Sequence, residues 1–545
     1  MELRKTTVGS LLDEVASRFP RNEVLVDIPK GRRYSYREFQ RVVDQMAKGF
    51  LKIGLRKGEH IALWAPNLSE WIIAEFALAK IGAVLVSIDI NCQVQQLEYL
   101  LKQSDSKTLI LAEGLRGTEY IEMIHQLCPE IKDSSLGQLK CHKLPELNNL
   151  ILISDRLYPG MFSWRDMLQM GKDISDSVLA ERQRTSCEDD VATLLYTSGT
   201  TGSPKGVMST HFGIINATLA SAETQRLTEQ DRLCLSVPLS HMFGCICVTL
   251  AAVIKGATVI IPSETFSSGR ILEAIEKERC TAIYGSPSAF ITLMEDPKYP
   301  NSNLKSLRTG IMGGAQCPME VMKKVVEEMG VREIVIGYGQ TEASSWITMT
   351  HHDDPLELRV STVGKPLPNV EVKIIDPATE KQAPIGVPGE LCARGLNMRG
   401  YYRMPAATDQ TLDREGWLHT GDLATMDERG YIRTVGRLKE VIRKGEDLIY
   451  PIEIEEVLFS HPRISNAQVF GVPDKTRGEE IAAWIKLEEG ATLTEQEIRR
   501  YCQEKLPDSH LPHYLKFVKE FPVTPLGKVQ KFKMREIMIK EYDLK

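Results

Sequence analysis

Residues Tyr196 to Gly206 read YTSGTTGSPKG and follow directly on the apolar run Val191 to Leu195. The order is informative: a strand pattern, then a loop crowded with glycine and hydroxyl side chains, then one lysine. Closely spaced backbone N–H groups, hydroxyl donors and a mobile ammonium are what a loop can offer to a polyphosphate. Gly199, Gly202 and Gly206 permit backbone conformations that other residues disfavour, Thr197, Ser198, Thr200, Thr201 and Ser203 bring donors, and Lys205 brings the charge. A Walker-type loop needs glycine immediately before its lysine and Ser or Thr immediately after, and Pro204 and Gly206 occupy those places. The same composition also suits a flexible linker, but the strand before the loop and the single lysine at its end favour the phosphate reading.

Around this segment the chain alternates between two periodicities. Short strand patterns at His60–Ala65, Ala83–Ile90, Thr108–Glu113, Asn149–Ser154, Ala257–Pro262 and Arg332–Gly339 are separated by helical patterns such as Ser268–Arg279 and Pro318–Met329. That alternation predicts an α/β fold, parallel sheets covered by helices. From about Trp346 to Tyr431 the runs shorten between Pro and Gly clusters, as in a small β-barrel. Beyond Lys439 come the strand patterns AQVFGV, AAWIKL and KFVKEF and a helix opening at Thr494 with Glu497 three residues on, a self-contained α+β pattern. The expected organisation is a large N-terminal domain over residues 1–438 and a small mobile α+β C-terminal domain over 439–545, with the boundary at Arg437 to Lys439.

The bulk composition narrows the function. The chain has 545 residues, 42% hydrophobic and 26% charged, with a net charge of −6. This suits a soluble globular protein and gives no electrostatic argument for nucleic acid or an anionic membrane. Eleven scattered cysteines without a CxxC pair read as reduced thiols of a cytoplasmic protein rather than a metal framework. No export signal is recognisable. The apolar stretches Trp71–Ile90 and Met242–Ile254 are interrupted or too short to span a bilayer, and read as buried elements.

Five further segments accompany the loop: GYGQTE (Gly337–Glu342), GELCARG (Gly389–Gly395), HTGDL (His419–Leu423), GRLKEVI (Gly436–Ile442) and PLGK (Pro525–Lys528). With them the chain resembles the ANL adenylate-forming enzymes, which include acyl- and aryl-CoA synthetases, peptide-synthetase adenylation domains and luciferases. The likeness runs from about residue 30 to 540. It implies activation of a carboxylic acid by ATP through an acyl-adenylate, followed by transfer to an acceptor, most often coenzyme A. Glu342 resembles the family's magnesium ligand, a role that suits a hard cation taking few protein ligands and several phosphate oxygens. Thr341 should bond the α-phosphate. Tyr338 should pack on adenine, with Gly313, Gly314 and Ala315 as the opposite wall, and Gly337, Gly339 and Gln340 complete that approach. Asp422 can accept from both ribose hydroxyls, and the forked donors of Arg437 can reach the same sugar or a phosphate. The resemblance makes Lys528 the lysine that contacts the reacting carboxylate and α-phosphate, then leaves as the small domain turns about Lys439. Leu526 stands where relatives commonly carry Ser or Thr. In KGEDL (Lys444–Leu448) Gly445 is kept, but Glu446 replaces a second glycine of the loop that lines the pantetheine tunnel.

His241, in PLSHMFG, aligns with a position near the reacting carboxylate. No aspartate for a substrate ammonium occurs between Ser240 and Cys245, and an unpaired ammonium beside Met242 and Phe243 would be costly. Tyr284, Gly285, Ser286 and Trp346 add apolar or small candidates, which suits an alkyl, alicyclic or aryl acid. The expected activity is that of an AMP-forming acyl-CoA synthetase. An acyl-AMP ligase serving a carrier protein and a luciferase-like oxygenase are the alternatives. A homo-oligomer is compatible with the sequence.

Overall fold

The computed structural model describes residues 1–115, 117–154, 156–197, 204–315, 317–445, 447–523 and 529–544. Chain contacts divide it into two compact units, residues 1–371 with 393–418, and residues 372–392 with 419–545.

The first unit carries two large sheets. A nine-stranded sheet runs Lys365–Pro366, Ser345–Met349, Glu333–Gln340, Thr309–Gly313, Ala282–Gly285, Arg232–Cys234, Thr258–Ile261, Glu23–Asp27 and Arg32–Ser35, parallel at its centre and antiparallel at its margins. An eight-stranded sheet runs Gly400–Tyr401, Lys205–Thr210, Val191–Thr197, Val84–Ser87, His60–Trp64, Thr108–Ala112, Asn149–Ile153 and Phe162–Ser163. Each expected strand is present. The main core draws on both sheets and on helix Ser69–Ile81, which is buried on every side. Such a helix shows no polar face, which explains why Trp71–Ile81 is apolar apart from the buried Glu75 and Lys80. A second core covers the nine-stranded sheet with helices Ser268–Glu278, Pro287–Met294 and Met319–Glu327. The first of these stops one residue short of its sequence pattern, because Arg279 turns into the left-handed region at φ 51°.

The strand-rich stretch after Ser345 falls in two places. Ser345–Met349 and Lys365–Pro366 extend the nine-stranded sheet, and Glu371–Ile375, Gly389–Arg394, Leu418–Met426 and Ile432–Arg437 make a separate four-stranded sheet. In the second unit a five-stranded sheet places Gly478–Leu487 between Ile464–Asp474 and two shorter neighbours, Ile442–Lys444 and Tyr514–Phe517. Thr494 and Glu497 exchange both bonds of a capping box, as their spacing predicts. The last strand begins two residues before the KFVKEF pattern and ends at Phe517.

Strand Lys205–Thr210 passes straight into helix His211–Thr224, with Thr210 accepting the Gly213 N–H at 3.1 Å. His211 is 1% exposed and accepts the Val8 N–H on Nδ1 at 3.3 Å. Burial lowers its pKa from 6.5 to about 4, so the fold holds it neutral. Its folded pKa lies below its unfolded one, so the stability it confers is complete above 6.5 and is lost as pH falls toward 4. The expected slope is about 1.4 kcal/mol per pH unit. Unfolding measured across that window should show a shallower loss for His211→Asn, whose Oδ1 can accept the same N–H; parallel curves would count against this account.

Candidate active site

Thr197 and Lys205 are directly opposed in an antiparallel pair, so the ends of the glycine-rich segment are fixed by strand register. Residues 198–203, with the expected phosphate groups of Ser198, Gly199, Thr200, Thr201 and Gly202, lie outside the described residues. Thr197 Oγ1 is buried and has no hydrogen-bond partner among them. The Lys205 ammonium stands 4.1 Å above the centre of the Tyr401 ring, a cation–π contact. Tyr401 is held by Gly400–Tyr401 pairing with Val207 and Met208, and by its N–H donating to Thr408 Oγ1 at 2.9 Å. Its hydroxyl donates to Glu342 Oε1 at 2.8 Å. Burial and the Glu342 charge both push the Tyr401 phenol well up, so it stays protonated and remains the donor.

Glu342 is 8% exposed and sits in the short 3-10 helix Thr341–Ala343, directly after strand Glu333–Gln340. Thr341 beside it is equally buried. No lysine or arginine among the described residues forms an ion pair with Glu342; its carboxylate is bonded by the neutral Tyr401 hydroxyl. A buried carboxylate with one neutral donor and no counter-charge is costly alone and suits a hard divalent cation. The 3-10 turn ends at Ser344, at φ 59°, against Gly213, where a Cβ would come within 2.6 Å of Ser344 Oγ.

The residues expected to line adenine come together at the ends of two parallel strands. Gly313 pairs with Gly337, and Trp346 lies against both: a Cβ at Gly313 would be 3.1 Å from its ring, and one at Gly337 3.0 Å. Tyr338 is half-buried beside an irregularity in the pairing between Tyr338 and Gly339. Gly339 is required there, since a Cβ would fall 2.0 Å from Ser345 O. Gly314, at φ 84°, and Ala315 are exposed, and Gln316 lies outside the described residues. Gln340 Nε2, Ser344 Oγ, Ser345 Oγ and Trp346 Nε1 are all buried without a hydrogen-bond partner among the described residues. Each such group costs about 1–3 kcal/mol unless something completes it, and four within seven consecutive positions mark a place built to receive polar atoms.

On the apolar side Trp346 meets Phe243 edge-on at 5.3 Å between ring centres, and Phe243 lies 6.2 Å from Tyr284. His241 precedes the π-helix Phe243–Leu250, and its Nδ1 accepts the Phe243 N–H at 3.0 Å, which leaves Nε2 as the protonated nitrogen of the neutral ring. Gly285 is buried at a strand end, whereas Ser286 caps helix Pro287–Met294 by accepting the Ala289 N–H.

In the second unit Asp422 and Arg437 are cross-strand partners, with Arg437 Nε 3.3 Å from Asp422 Oδ1. Glu390 fixes the turn that leads into Asp422: its carboxylate accepts the Gly421 N–H at 3.0 Å and contacts His419 Nδ1 at 2.9 Å. Gly445 adopts φ 68° with open space where a side chain would be, and donates its N–H to Arg477 O at 2.7 Å. Lys439 belongs to the 3-10 turn Leu438–Glu440. Glu446 and residues 524–528, with Leu526 and Lys528, lie outside the described residues. Sequence reasoning missed Tyr401, Glu390 and His419. The last two lie inside quoted motifs, but nothing in the sequence links Tyr401 to a carboxylate 59 positions away.

The model of the AMP-binding enzyme family matches residues 12–402, and that of the AMP-binding enzyme C-terminal domain matches residues 453–528. The chain is 45% identical over 544 residues to the Bacillus subtilis protein YngI, which carries the name of an acyl-CoA synthetase, spanning 100% of this chain and 99% of that one. It is 37% identical to the mitochondrial medium-chain acyl-CoA ligase ACSF2 of Danio rerio, spanning 99% of this chain and 90% of that one. ATP-bound MatB from Rhodopseudomonas palustris shares the fold with a TM-score of 0.85, at 24% identity over 98% of this chain and 100% of that one.

Tyr401→Phe keeps the ring beneath Lys205 but removes the donor to Glu342. Leaving that buried carboxylate without its hydroxyl should lower unfolding free energy by about 1–3 kcal/mol at neutral pH, measurable by denaturant titration. An unchanged midpoint would show that Glu342 does not depend on this bond.

Proposed function

The chain belongs to the AMP-binding enzyme family, and from that premise we propose that it is an AMP-forming acyl-CoA synthetase for a medium-sized apolar acid. A carboxylate oxygen attacks the α-phosphorus of ATP and pyrophosphate leaves. The thiol of coenzyme A then attacks the acyl carbon of the adenylate, AMP leaves, and the thiol proton is released. The observation that carries this reading is the buried Glu342 carboxylate, ion-paired with no lysine or arginine among the described residues and bonded to Tyr401, whose ring lies under Lys205 at the end of the glycine-rich segment.

In the first half-reaction two anionic reactants must approach, so the site must supply positive charge where negative charge gathers. Lys205 and the donors of 197–202 are assigned to the triphosphate, and Thr341 to the α-phosphate. Glu342 would hold Mg2+, which when bound would neutralise phosphate oxygens. Tyr338, Gly313, Gly314, Ala315, Gly337, Gly339 and Gln340 are assigned to adenine, and Asp422 and Arg437 to ribose. The Asp422–Arg437 contact supports the last assignment, because it holds the carboxylate and the guanidinium side by side. His241 is placed beside the substrate carboxylate, and Phe243, Tyr284 and Trp346 beside its apolar portion. That aromatic wall and the name of the Danio rerio relative both support an apolar acid. Lys528 is assigned to adenylation and Gly445 to thioester formation, with the domain boundary and hinge at Lys439. Eleven free cysteines support a reducing compartment such as the cytoplasm, and no helix of the described residues is long and apolar enough to cross a membrane.

A pyrophosphate-release screen over acids of graded length and ring content, with ATP, Mg2+ and coenzyme A, should give an acyl-CoA and AMP in equal amounts with an apolar acid. Release of pyrophosphate without thioester would point to another acceptor, and no release with any acid would overturn the proposal. Lys528→Ala should slow pyrophosphate release by about 10² to 10³ while sparing thioester formation from supplied acyl-AMP. Equal loss of both half-reactions would contradict the division of labour.

A further inference from the structure

Outside the site just described, the first unit gathers two buried thiols and a half-buried carboxylate in one cluster. Cys128 closes helix Tyr120–Leu127, Glu130 lies in the 3-10 helix Pro129–Asp133 that follows, and Cys141 comes from further along the chain. Cys128 is 0% exposed and Cys141 2%. One ligand atom from each, the two Sγ atoms and a Glu130 oxygen, lie within 4.8 Å of one another.

We propose that Cys128, Glu130 and Cys141 form a structural zinc site, with water or the neighbouring His142 as the fourth ligand. Three observations support it. A tetrahedral zinc with S ligands at about 2.3 Å requires ligand atoms about 3.7 Å apart, so the cluster needs only rotamer-scale closure. The Glu130 carboxylate is held unevenly: its Oε1 accepts the His142 N–H at 3.2 Å and the Glu130 N–H also bonds the carboxylate, whereas its Oε2 lies out of reach of solvent. The Cys128 thiol offers that carboxylate a weak donor. A disulfide between the cysteines would remove this donor and strand the carboxylate further, while a cation serves thiolates and carboxylate together. Zinc binding would release both thiol protons to solvent.

The third observation is location. Residues 134–148 contain neither helix nor strand, a length of irregular chain uncommon inside a compact domain. Yet Leu139, Cys141, Leu144 and Leu147 are buried within it. A metal at Cys141 would tie this segment to the end of helix Tyr120–Leu127, just before it enters strand Asn149–Ile153 of the eight-stranded sheet. The ion would therefore serve the fold and leave the chemistry of Glu342 untouched.

The test is titration of the full-length protein, reduced and freed of metal, with Co2+ as spectroscopic probe and then Zn2+. A thiolate-to-cobalt charge-transfer absorption saturating at one equivalent, bleached by Zn2+, is expected, together with a higher unfolding temperature in Zn2+. Cys128→Ser/Cys141→Ser should abolish the absorption and the thermal shift. Glu130→Gln should weaken both, and Cys280→Ser, in a separate core, should change neither. Absence of a saturable absorption in the unsubstituted protein overturns the proposal whether or not the variants fold. So does an absorption that survives the double substitution. Loss of two titratable thiols under mild peroxide, in a protein that binds no Co2+ when reduced, would assign the pair to a disulfide instead.

Discussion

A buried carboxylate that no described cation neutralises is the constraint around which the first unit is arranged. Glu342 is nearly shut off from water, and its carboxylate is bonded by the neutral Tyr401 hydroxyl. Retaining such a group carries a standing cost in stability that a merely structural position would be expected to shed. It is supported from all sides by backbone: Met398 donates to the Glu342 carbonyl at 2.7 Å, and Tyr401 is pinned by strand pairing to Lys205–Thr210. The strand that carries Lys205 thus also places the tyrosine, so the cation and the carboxylate are set by one short piece of sheet.

The glycines around this carboxylate act by letting backbones and rings approach. Gly313 and Gly337 are register partners whose missing side chains leave the Trp346 ring its place, and Gly339 passes Ser345 O at a distance no Cβ allows. Trp346 then faces Phe243, which stands beside Tyr284, and one indole borders both the glycine surface and the aromatic wall. Gln340, Ser344, Ser345 and Trp346, consecutive or nearly so with this strand end, each carry a buried polar atom without a partner among the described residues. Unsatisfied donors and acceptors are expected where a bound molecule completes the hydrogen bonding, which is why this stretch enters the proposed nucleotide site.

The second unit shows a related economy. Asp422 and Arg437, which sequence reading treated as separate contributors to one sugar, are a cross-strand pair in contact. Glu390 holds the turn that precedes Asp422 through Gly421 and His419. A carboxylate held by a guanidinium and a fixed turn loses little freedom on meeting a ligand, which is the general advantage of preorganisation.

The sequence by itself determined the fold class, nearly every strand tested and the residues worth examining, because these depend on local periodicity, glycine placement and motif order. The run Val191–Leu195 is a strand, Thr494 and Glu497 close a capping box, Tyr338 and Glu342 stand at or just after the end of a sheet strand, and His241 precedes the π-helix Phe243–Leu250. Only the tertiary structure decided that Tyr401 bonds Glu342, that Trp346 lies across two glycines, and that Cys128, Glu130 and Cys141 bring their ligand atoms together. The reason is physical: side chains distant in sequence meet through sheet order and strand register, and neither is encoded in any local pattern that a reader of the chain could see.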